Sequence, residues 1–109
     1  MKNDDNLLLK REYYMFLFDY YGFLLTNKQQ EYFNDFYFND YTLSEIASSK
    51  NISRSAVFDA IEKINKALDD YEKALGLFKK NQIKEKIFEE YMGKQGSYDE
   101  LINKLKEIE

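Results

Sequence analysis

Residues 42–61 read TLSEIASSKNISRSAVFDAI, a pattern of two short helices joined by a tight turn. Thr42 and Glu45 have the spacing of a capping box, in which each side chain accepts a hydrogen bond from the backbone N–H of the other residue. Ser53 has the position of a lone cap at the start of a second helix. Between them stands Asn51, and asparagine is one of the few residues that enters the left-handed backbone region at modest cost. The stretch therefore predicts two capped helices with a sharp turn at Asn51.

Each predicted helix also has one apolar face. The first presents Leu43, Ile46 and Ala47, and the second presents Ile52, Val57, Ala60 and Ile61. The small side chain of Ala47 allows the two helices to cross closely, as a helix-turn-helix requires. Two capped amphipathic helices also occur in helical domains that never touch nucleic acid, so binding is a separate question from the motif. We predict a helix-turn-helix at residues 42–62.

The composition favours a single all-α domain without catalytic chemistry. The chain has 109 residues, no proline, four glycines and 17% aromatic residues, so Tyr and Phe supply much of the core volume. A chain of this length buries a sufficient core without disulfides or metals. It has no cysteine and no histidine, which removes thiolate ligands, the commonest zinc ligand and the commonest general base. We expect neither an enzyme nor a bound metal or cofactor.

The charge balance is unfavourable for a nucleic-acid-binding protein except around the predicted motif. The formal net charge is −4, whereas affinity for a polyanion comes largely from Lys and Arg that neutralise phosphates. Residues 1–41 carry four basic and seven acidic groups, and residues 81–109 carry five and seven. Residues 42–80 carry seven basic and six acidic groups, so the segment with the motif is the only one that is not acidic.

The sequence predicts neither a membrane span nor a secretory signal. The aromatic segment Tyr13–Leu25 is interrupted by Asp19 and Gly22 and falls short of the roughly 18 apolar residues that a span needs. The N-terminus, MKNDDN, lacks the basic and apolar regions of a signal peptide. We therefore expect a soluble cytoplasmic protein.

The first predicted helix runs from Asn6 to Tyr21 and ends at Gly22, whose missing Cβ suits a helix C-terminus. Its apolar residues form two stripes, one of Leu9, Tyr13, Phe16, Leu17 and Tyr20 and another of Tyr14, Phe18 and Tyr21. A helix that is apolar nearly all round needs cover on several sides, which favours a partner subunit. The alternative is that the tyrosine rings lie at the surface with their hydroxyls in water.

A second capping box, formed by Thr26 and Gln29, predicts a helix over Asn27–Phe38 that precedes the motif. This helix is expected to bury three aromatic residues, which are Phe33, Phe36 and Tyr37. Residues 39 and 40, Asn and Asp, are expected to form the turn that follows it.

The second helix of the motif is predicted to be much longer than recognition of a ligand requires. Its apolar residues recur at alternating spacings of four and three, at Val57, Ile61, Ile64, Leu68, Tyr71, Leu75 and Phe78. Such a seam fits either a coiled coil between two chains or the inner face on which the first helix packs, and we favour the second. Gly76 disfavours a helix by about 1 kcal/mol relative to Ala, so a bend is predicted near it.

The C-terminal part is predicted to contain two further helical segments and a linker. Helical spacing resumes at Ile83, Ile87, Phe88 and Tyr91, and residues 93–96 form a flexible linker. A third capping box, Ser97 with Glu100, opens a final helix. Its apolar residues Leu101, Ile102, Leu105 and Ile108 pack loosely or on a partner. This predicts a helical domain over residues 1–92, followed by a linker and C-terminal helix over 93–109.

The geometry of the motif also selects candidate nucleic-acid-binding residues, because the N-terminal part of the second helix faces the bases in a helix-turn-helix. These candidates are Lys50, Ser53, Arg54, Ser55, Phe58, Asp59 and Lys63. Arg54 suits a guanine edge or a phosphate, and Lys50 in the turn suits a backbone contact. Asp59 repels phosphates unless it accepts a hydrogen bond from a cytosine amino group. Phe58 fits a thymine methyl group, an unpaired base or a protein surface.

Residues 17–78, LFDYYGFLLTNKQQEYFNDFYFNDYTLSEIASSKNISRSAVFDAIEKINKALDDYEKALGLF, resemble the YlxM-type family of small bacterial helix-turn-helix proteins. The most specific pieces are Leu25-Thr26 with Gln29, the block Ser44-Glu45-Ile46-Ala47, Ile52-Ser53-Arg54 with Ala56-Val57, and Asp70-Tyr71-Glu72. The chain departs from the family at Ser55, where Gln is frequent, and at Phe58, where Tyr is frequent. These departures shorten one potential base-reading side chain and remove one hydroxyl.

The resemblance implies a fold similar to region 4 of bacterial sigma factors and a regulatory role in the signal recognition particle pathway. The partners that it implies are the RNA or the GTPase of that particle, because the family is usually encoded beside the GTPase and its receptor. We therefore expect an all-α helical bundle that acts as a non-enzymatic, dimeric regulator and binds DNA or the RNA of the particle. The alternative is a protein-docking adaptor for the targeting GTPase, favoured by the acidic balance and by an aromatic surface of Tyr14, Phe18, Tyr21 and Phe58.

Overall fold

The computed structural model of the chain describes residues 10–92 and 98–108. Within these residues the fold is all-α, as predicted, with six α-helices and no strand. The helices are α1 (Arg11–Tyr21), α2 (Asn27–Phe33), α3 (Leu43–Lys50), α4 (Arg54–Leu75), α5 (Leu77–Met92) and α6 (Tyr98–Ile108). A 3₁₀ turn, Gly22–Leu24, follows α1, and a π-helical turn, Asn34–Phe38, continues α2. The chain divides into two compact units, Met1–Ala74 and Leu75–Glu109.

Helix α1 ends where the sequence predicts, but for a different reason. Gly22 follows the helix with φ −55° and ψ −33°, so it remains in the right-handed region and its N–H donates to the carbonyl of Phe18. A Cβ at Gly22 would lie 3.0 to 3.1 Å from three ring carbons of Phe18. Glycine is therefore used for close packing and not for a left-handed cap. The part of the predicted helix before residue 10 lies outside the described residues.

The Phe18 ring joins α1 to the helix that follows. It stacks on the buried ring of Phe33 with a centroid distance of 4.3 Å and an interplanar angle of 6°. The ring of Phe38 meets it edge-on at 5.7 Å. Offset stacked and edge-to-face pairs of this kind add stabilisation beyond the burial of area. The three rings hold α1 against α2 and its π-helical turn.

The capping box predicted at the start of α2 is confirmed. The N–H of Gln29 donates to Thr26 Oγ1 at 3.1 Å, and the N–H of Thr26 donates to Gln29 Oε1 at 3.0 Å. The helical segment reaches Phe38 as predicted, although its last five residues are wound as a π-helical turn. The aromatic residues expected in its core, Phe33, Phe36 and Tyr37, are all buried.

The N-terminus of α1 is fastened to the end of this segment. The Arg11 guanidinium donates to the carbonyl of Tyr37 and to the carboxylate of Asp40. Asp40 has a positive φ of 58°, a conformation that Asp tolerates better than most residues. The turn that the sequence predicts after Phe38 therefore contains one left-handed residue, Asp40, which is also bound to α1.

Helix α4 supplies the centre of the first unit. Its residues Val57, Ile61, Ile64 and Leu68 are at most 1% exposed. The regular apolar seam does not continue to the end, because Tyr71 is half-buried and Leu75 is 49% exposed. α4 ends at Leu75, and Gly76 breaks the helix with a φ of 62°. The bend predicted at Gly76 is thus a complete interruption between two helices.

Helix α1 is hydrogen-bonded to α4 within the same chain, and the first part of the seam is buried there, which agrees with the intramolecular alternative for α4. Tyr14 Oη donates to Asp69 at 2.9 Å, and Tyr21 Oη donates to Glu72 at 2.6 Å. Tyr14 and Tyr21 are 6% and 0% exposed, so the expectation that they form a surface was wrong. Their hydroxyls need no water because carboxylates of α4 accept their hydrogen bonds. Aromatic residues that are more than a third exposed lie elsewhere, for example Phe23 at 76%.

The second unit contains α5 and α6, which contact each other. The final helix α6 (Tyr98–Ile108) agrees with the helix predicted near the C-terminus. The predicted linker at residues 93–96 and the cap at Ser97 lie outside the described residues, and a domain boundary after residue 92 stays a prediction. None of the helices in the described part of the chain is both long and apolar enough to span a membrane.

Candidate nucleic-acid interface

The candidate interface is built on α3, which starts with the predicted capping box. The N–H of Glu45 donates to Thr42 Oγ1, and the N–H of Thr42 donates to Glu45 Oε1, both at 3.1 Å. The two bonds satisfy backbone donors that a helix start otherwise leaves without partners. The Glu45 carboxylate also lies in the first turn, where a negative charge is favoured by the helix dipole. The start of α3 is therefore fixed by local contacts.

The end of α3 is a left-handed cap at Asn51, as predicted. Asn51 has φ 59° and ψ 44°. Its N–H donates to the carbonyl of Ser48 at 3.3 Å, and the N–H of Ile52 donates to the carbonyl of Ala47 at 3.0 Å. These two bonds form a Schellman motif, which satisfies the last carbonyls of the helix and turns the chain away from its axis.

Three residues, 51–53, separate the end of α3 from the start of α4. Ser53 Oγ accepts a hydrogen bond from the N–H of Ala56 at 3.1 Å, and the Ser53 carbonyl accepts from the N–H of Val57 at 3.2 Å. Ser53 is thus the cap that the sequence predicts. The helix-turn-helix predicted at residues 42–62 is present.

Each helix of the motif has a buried apolar face. Leu43, Ile46 and Ala47 of α3 are between 1% and 6% exposed, and Val57 and Ile61 of α4 are fully buried. The prediction that Ile52 belongs to the apolar stripe of the second helix was wrong. Ile52 lies in the turn and is 39% exposed, because the left-handed Asn51 directs the chain outward before α4 begins. Ala60 is half-buried at the edge of the seam.

Three of the predicted site residues form one exposed row on α4. Ser55, Asp59 and Lys63 are all exposed and stand four residues apart, so they line one side of the helix. The cap residue Ser53 is exposed as well. Arg54 and Phe58 are half-buried, which places them at the border between this row and the packed side of α4. The structure therefore brings together a short polar row with an arginine and an aromatic ring at its edge.

Lys50, the remaining predicted residue, already contacts two side chains of the protein itself. Its Nζ lies 2.7 Å from Glu31 Oε1 and 4.9 Å from the ring centroid of Tyr32, and its side chain is 19% exposed. The hydrogen bond with Glu31 raises the pKa of Lys50 and lowers the pKa of Glu31. Lys50 is thus charged, but Glu31 and the face of an aromatic ring already neutralise and orient it.

Glu31 and Tyr32 contact Lys50, and the sequence predicted neither contact. They lie on α2, nineteen residues before Lys50 in the case of Glu31. No local spacing rule connects residues at that separation, since helical pairing rules reach only three or four residues. The sequence shows only that an acidic residue lies on the preceding predicted helix. Acidic residues on helices are too common for this to indicate a contact with Lys50.

The exposed side of α4 has a balanced charge. Asp59 and Glu62 carry negative charges there, and Lys63 and Lys66 carry positive charges. Lys66 Nζ also forms an ion pair with Asp70 at 3.0 Å. The described residues contain no cluster of three or more acidic, cysteine or histidine side chains suited to hold a metal. The chemistry that this face offers is hydrogen bonding and local charge.

The family described as "Putative helix-turn-helix protein, YlxM / p13 like" matches residues 8–108. The chain belongs to this family. A UPF0122 protein of Lactococcus lactis subsp. cremoris (strain MG1363) is 45% identical over 93 residues, which cover 85% of this chain and 84% of the relative. A UPF0122 protein of Geobacillus sp. (strain WCH70) is 38% identical over 102 residues, covering 86% and 92% of the two chains.

Membership of the YlxM / p13-like family confirms the resemblance found in the sequence and agrees with the motif seen in α3 and α4. The family is described as a helix-turn-helix family and not as a family of enzymes. A third relative, from Listeria welshimeri serovar 6b, is 46% identical over 74 residues that cover 68% of this chain and 67% of its own. The match to the family extends past the motif into α5 and α6.

Proposed function

We propose that this YlxM / p13-like protein is a non-enzymatic, cytoplasmic regulator that binds nucleic acid through its helix-turn-helix. The observation that carries the proposal is the row of Ser55, Asp59 and Lys63 on the first turns of α4, exposed while the opposite side of the helix is fixed in the core. In proteins with this motif, the same turns enter the major groove. A rigid helix with an exposed polar N-terminal side is suited to that task.

Each residue of the row has a distinct role in the proposal. Lys63 contacts a phosphate, because a flexible ammonium one turn beyond the bases reaches the backbone. Ser55 donates to a base edge or a phosphate, and Asp59 accepts from a cytosine amino group. Arg54 and Phe58 lie at the border and contact the groove wall, and Ser53 caps the helix beside it. Lys50 first has to leave Glu31 before it reaches a phosphate.

The proposal includes a biological setting and an assembly. The resemblance of residues 17–78 to YlxM-type proteins supports a role in the signal recognition particle pathway, with the RNA of that particle or duplex DNA as the ligand. A homodimer is part of the proposal, because helix-turn-helix proteins usually bind two half-sites with two copies of the motif.

The test is binding of fluorescently labelled duplex DNA and of the particle's RNA, followed by anisotropy between about 50 and about 200 mM salt. Binding is expected at low salt and should weaken steeply as salt rises. Lys63→Ala should lower the affinity and reduce the salt slope by about 1. Lys73→Ala is the matched control, because Lys73 is an exposed lysine of the same helix, ten residues further on.

Two results would overturn the nucleic-acid proposal. One is the absence of binding to either ligand at low salt. The other is an equal effect of Lys63→Ala and Lys73→Ala, because binding would then depend on overall charge and not on the start of α4.

A protein-docking adaptor for the targeting GTPase is the second candidate, and the balanced charge of the exposed α4 face favours it. Such a face is not repelled by another protein, and a protein complex depends less on counterion release than a nucleic-acid complex does. The adaptor predicts co-elution with the purified GTPase at about 0.5 M salt, where a nucleic-acid complex of this charge dissociates. Separate elution at both low and high salt would exclude it.

A further inference from the structure

The second unit, Leu75–Glu109, has an incomplete apolar core. Helices α5 and α6 contact each other, yet none of its residues with a described side chain, 75–90 and 100–108, is fully buried. The apolar side of α6 consists of Leu101, Ile102, Leu105 and Ile108, and all four are only half-buried. Two helices cover one seam between them, and helical bundles usually close that seam with further helices. The unit therefore has apolar surface that a further helix could bury.

One stripe of α5 is complementary to itself. Lys80, Ile83, Ile87 and Glu90 are spaced three, four and three residues apart, so they lie along one side of the helix. The stripe begins with a cation, ends with an anion and has two isoleucines between them. Ile83 is 40% exposed and Ile87 is half-buried. Read from either end, the stripe has a charged residue, two isoleucines and a residue of the opposite charge.

Two copies of this stripe match when they run antiparallel. Lys80 and Glu90 are both five residues from position 85, and Ile83 and Ile87 are both two residues from it. A twofold axis beside position 85 therefore places Lys80 opposite the partner's Glu90 and Ile83 opposite the partner's Ile87. Such a contact is isologous, with each surface binding the same surface of the other copy.

The charge of the second unit also favours self-association. Residues 75–109 contain seven basic and seven acidic groups, whereas residues 1–74 contain nine and thirteen. A neutral unit does not repel a second copy of itself. It also lacks the excess of positive charge that would attract a nucleic acid.

We propose that α5 is a dimerisation surface whose partner is a second copy of this chain, so that two α5–α6 pairs form an antiparallel four-helix bundle. The inference rests on the homodimer in the proposed function and adds the residues that form it. It does not depend on whether the helix-turn-helix binds nucleic acid.

The first test is the dissociation constant of the dimer, measured by sedimentation equilibrium on the full chain. The unmodified protein is expected to be dimeric, and Ile83→Glu should raise the dissociation constant by roughly 100-fold or more, because it introduces a charge into the apolar part of the stripe. Phe23→Glu is the control, since Phe23 is a 76% exposed apolar residue of the other unit. Circular dichroism checks that both variants keep their helical content.

The second test exchanges charges between chains. Lys80→Glu and Glu90→Lys should each raise the dissociation constant by about tenfold, because each variant places like charges opposite one another twice. An equimolar mixture of the two variants should restore tight association as a heterodimer. Residues 80 and 90 of one helix are about 15 Å apart, so restoration upon mixing arises only between chains.

The two experiments distinguish failure of the α5 surface from failure of the homodimer. A chain that is monomeric at all concentrations overturns both the homodimer and the α5 surface. A dimer that persists in Ile83→Glu, or a mixture of the charge variants that fails to associate better than either alone, overturns the surface and leaves the homodimer in place. Nucleic-acid binding is measured in a separate anisotropy experiment, so a failure of the α5 surface is distinguishable from a failure of the helix-turn-helix to bind.

Discussion

Among single residues, Asn51 sets the direction in which the chain leaves α3 and enters α4. Its φ of 59° allows the N–H groups of Asn51 and Ile52 to donate to carbonyls of the last turn of α3. This conformation raises the free energy of residues that have a Cβ. The increase is smaller for Asn than for most residues, because its short polar side chain forms local hydrogen bonds. The position of the exposed row on α4 therefore depends on one residue that lies outside both helices.

Substitution of Asn51 tests this dependence. Asn51→Ala should lower the free energy of unfolding by about 1 kcal/mol, because alanine has no local bond to offset the left-handed conformation. Asn51→Gly is the matched variant and should be as stable as the original chain or more so. Urea denaturation followed by circular dichroism measures both. Equal loss of stability in the two variants would show that the conformation of the turn is not what Asn51 provides.

Residue-level features were predictable where their causes are local. The caps at Thr26, Thr42 and Ser53 depend on side chains that bond a backbone group three residues away, and all three are present as predicted. The role of Gly22 was not predictable, because it depends on where the ring of Phe18 lies after α1 and α2 have packed. A sequence records the glycine but not the atom that would collide with its Cβ.

At the scale of elements, buried tyrosine hydroxyls connect α1 and the π-helical turn to α4. Tyr37 Oη accepts from Asn65 Nδ2 at 2.7 Å, and Asn65 Oδ1 is buried without a hydrogen-bond partner. Burial raises the pKa of Tyr37 to about 12, and burial together with the hydrogen bond to Asp69 raises the pKa of Tyr14. The folded state therefore favours the protonated form of both rings.

The raised tyrosine pKa values predict a loss of stability in alkali. Because a tyrosine in the unfolded chain ionises near pH 10, the stability is fully present below pH 10 and falls as the pH rises towards 12. Tyr37→Phe should flatten this fall, and it should cost about 1 to 3 kcal/mol at neutral pH because Asn65 loses its partner. Urea denaturation at several pH values measures both effects.

The control for this experiment is Tyr41→Phe, since Tyr41 is 49% exposed. It should leave both the stability at neutral pH and the slope above pH 10 nearly unchanged. An unchanged alkaline slope in Tyr37→Phe would contradict the assignment of the proton linkage to the contact between the π-helical turn and α4.

The ion pair between α2 and α3 predicts an inhibitory role for Glu31. Glu31 Oε1 lies 2.7 Å from Lys50 Nζ, so in the proposed nucleic-acid complex Glu31 competes with phosphates for this lysine. Glu31→Gln should strengthen nucleic-acid binding at low salt and steepen the salt dependence by up to about one unit of slope. Anisotropy titrations at several salt concentrations measure the change.

Glu89→Gln is the matched control for Glu31→Gln, because it removes the same charge from an exposed position on α5. If both variants strengthened binding equally, the effect would come from net charge alone. If Glu31→Gln left binding unchanged, Lys50 would have no part in the interface even when its partner is removed.

At the scale of the whole molecule, the architecture was predictable and the assignment of aromatic surfaces was not. Helix starts, the motif and the all-α class follow from composition and from patterns shorter than about ten residues. The burial of Tyr14 and Tyr21 depends on Asp69 and Glu72, which lie more than fifty residues away along the chain. An amphipathic ring is compatible with water or with a buried acceptor, and only the tertiary structure decides between them.

Each of the capping boxes at Thr26 and Thr42 closes over only four residues, so its two bonds form without a contribution from distant parts of the chain. Local contacts of this kind characterise proteins that fold within microseconds to milliseconds. The hydrogen bonds at the starts of α2 and α3 therefore do not require the aromatic side chains to have found their final neighbours. Rapid folding shortens the time during which those rings are exposed to aggregation.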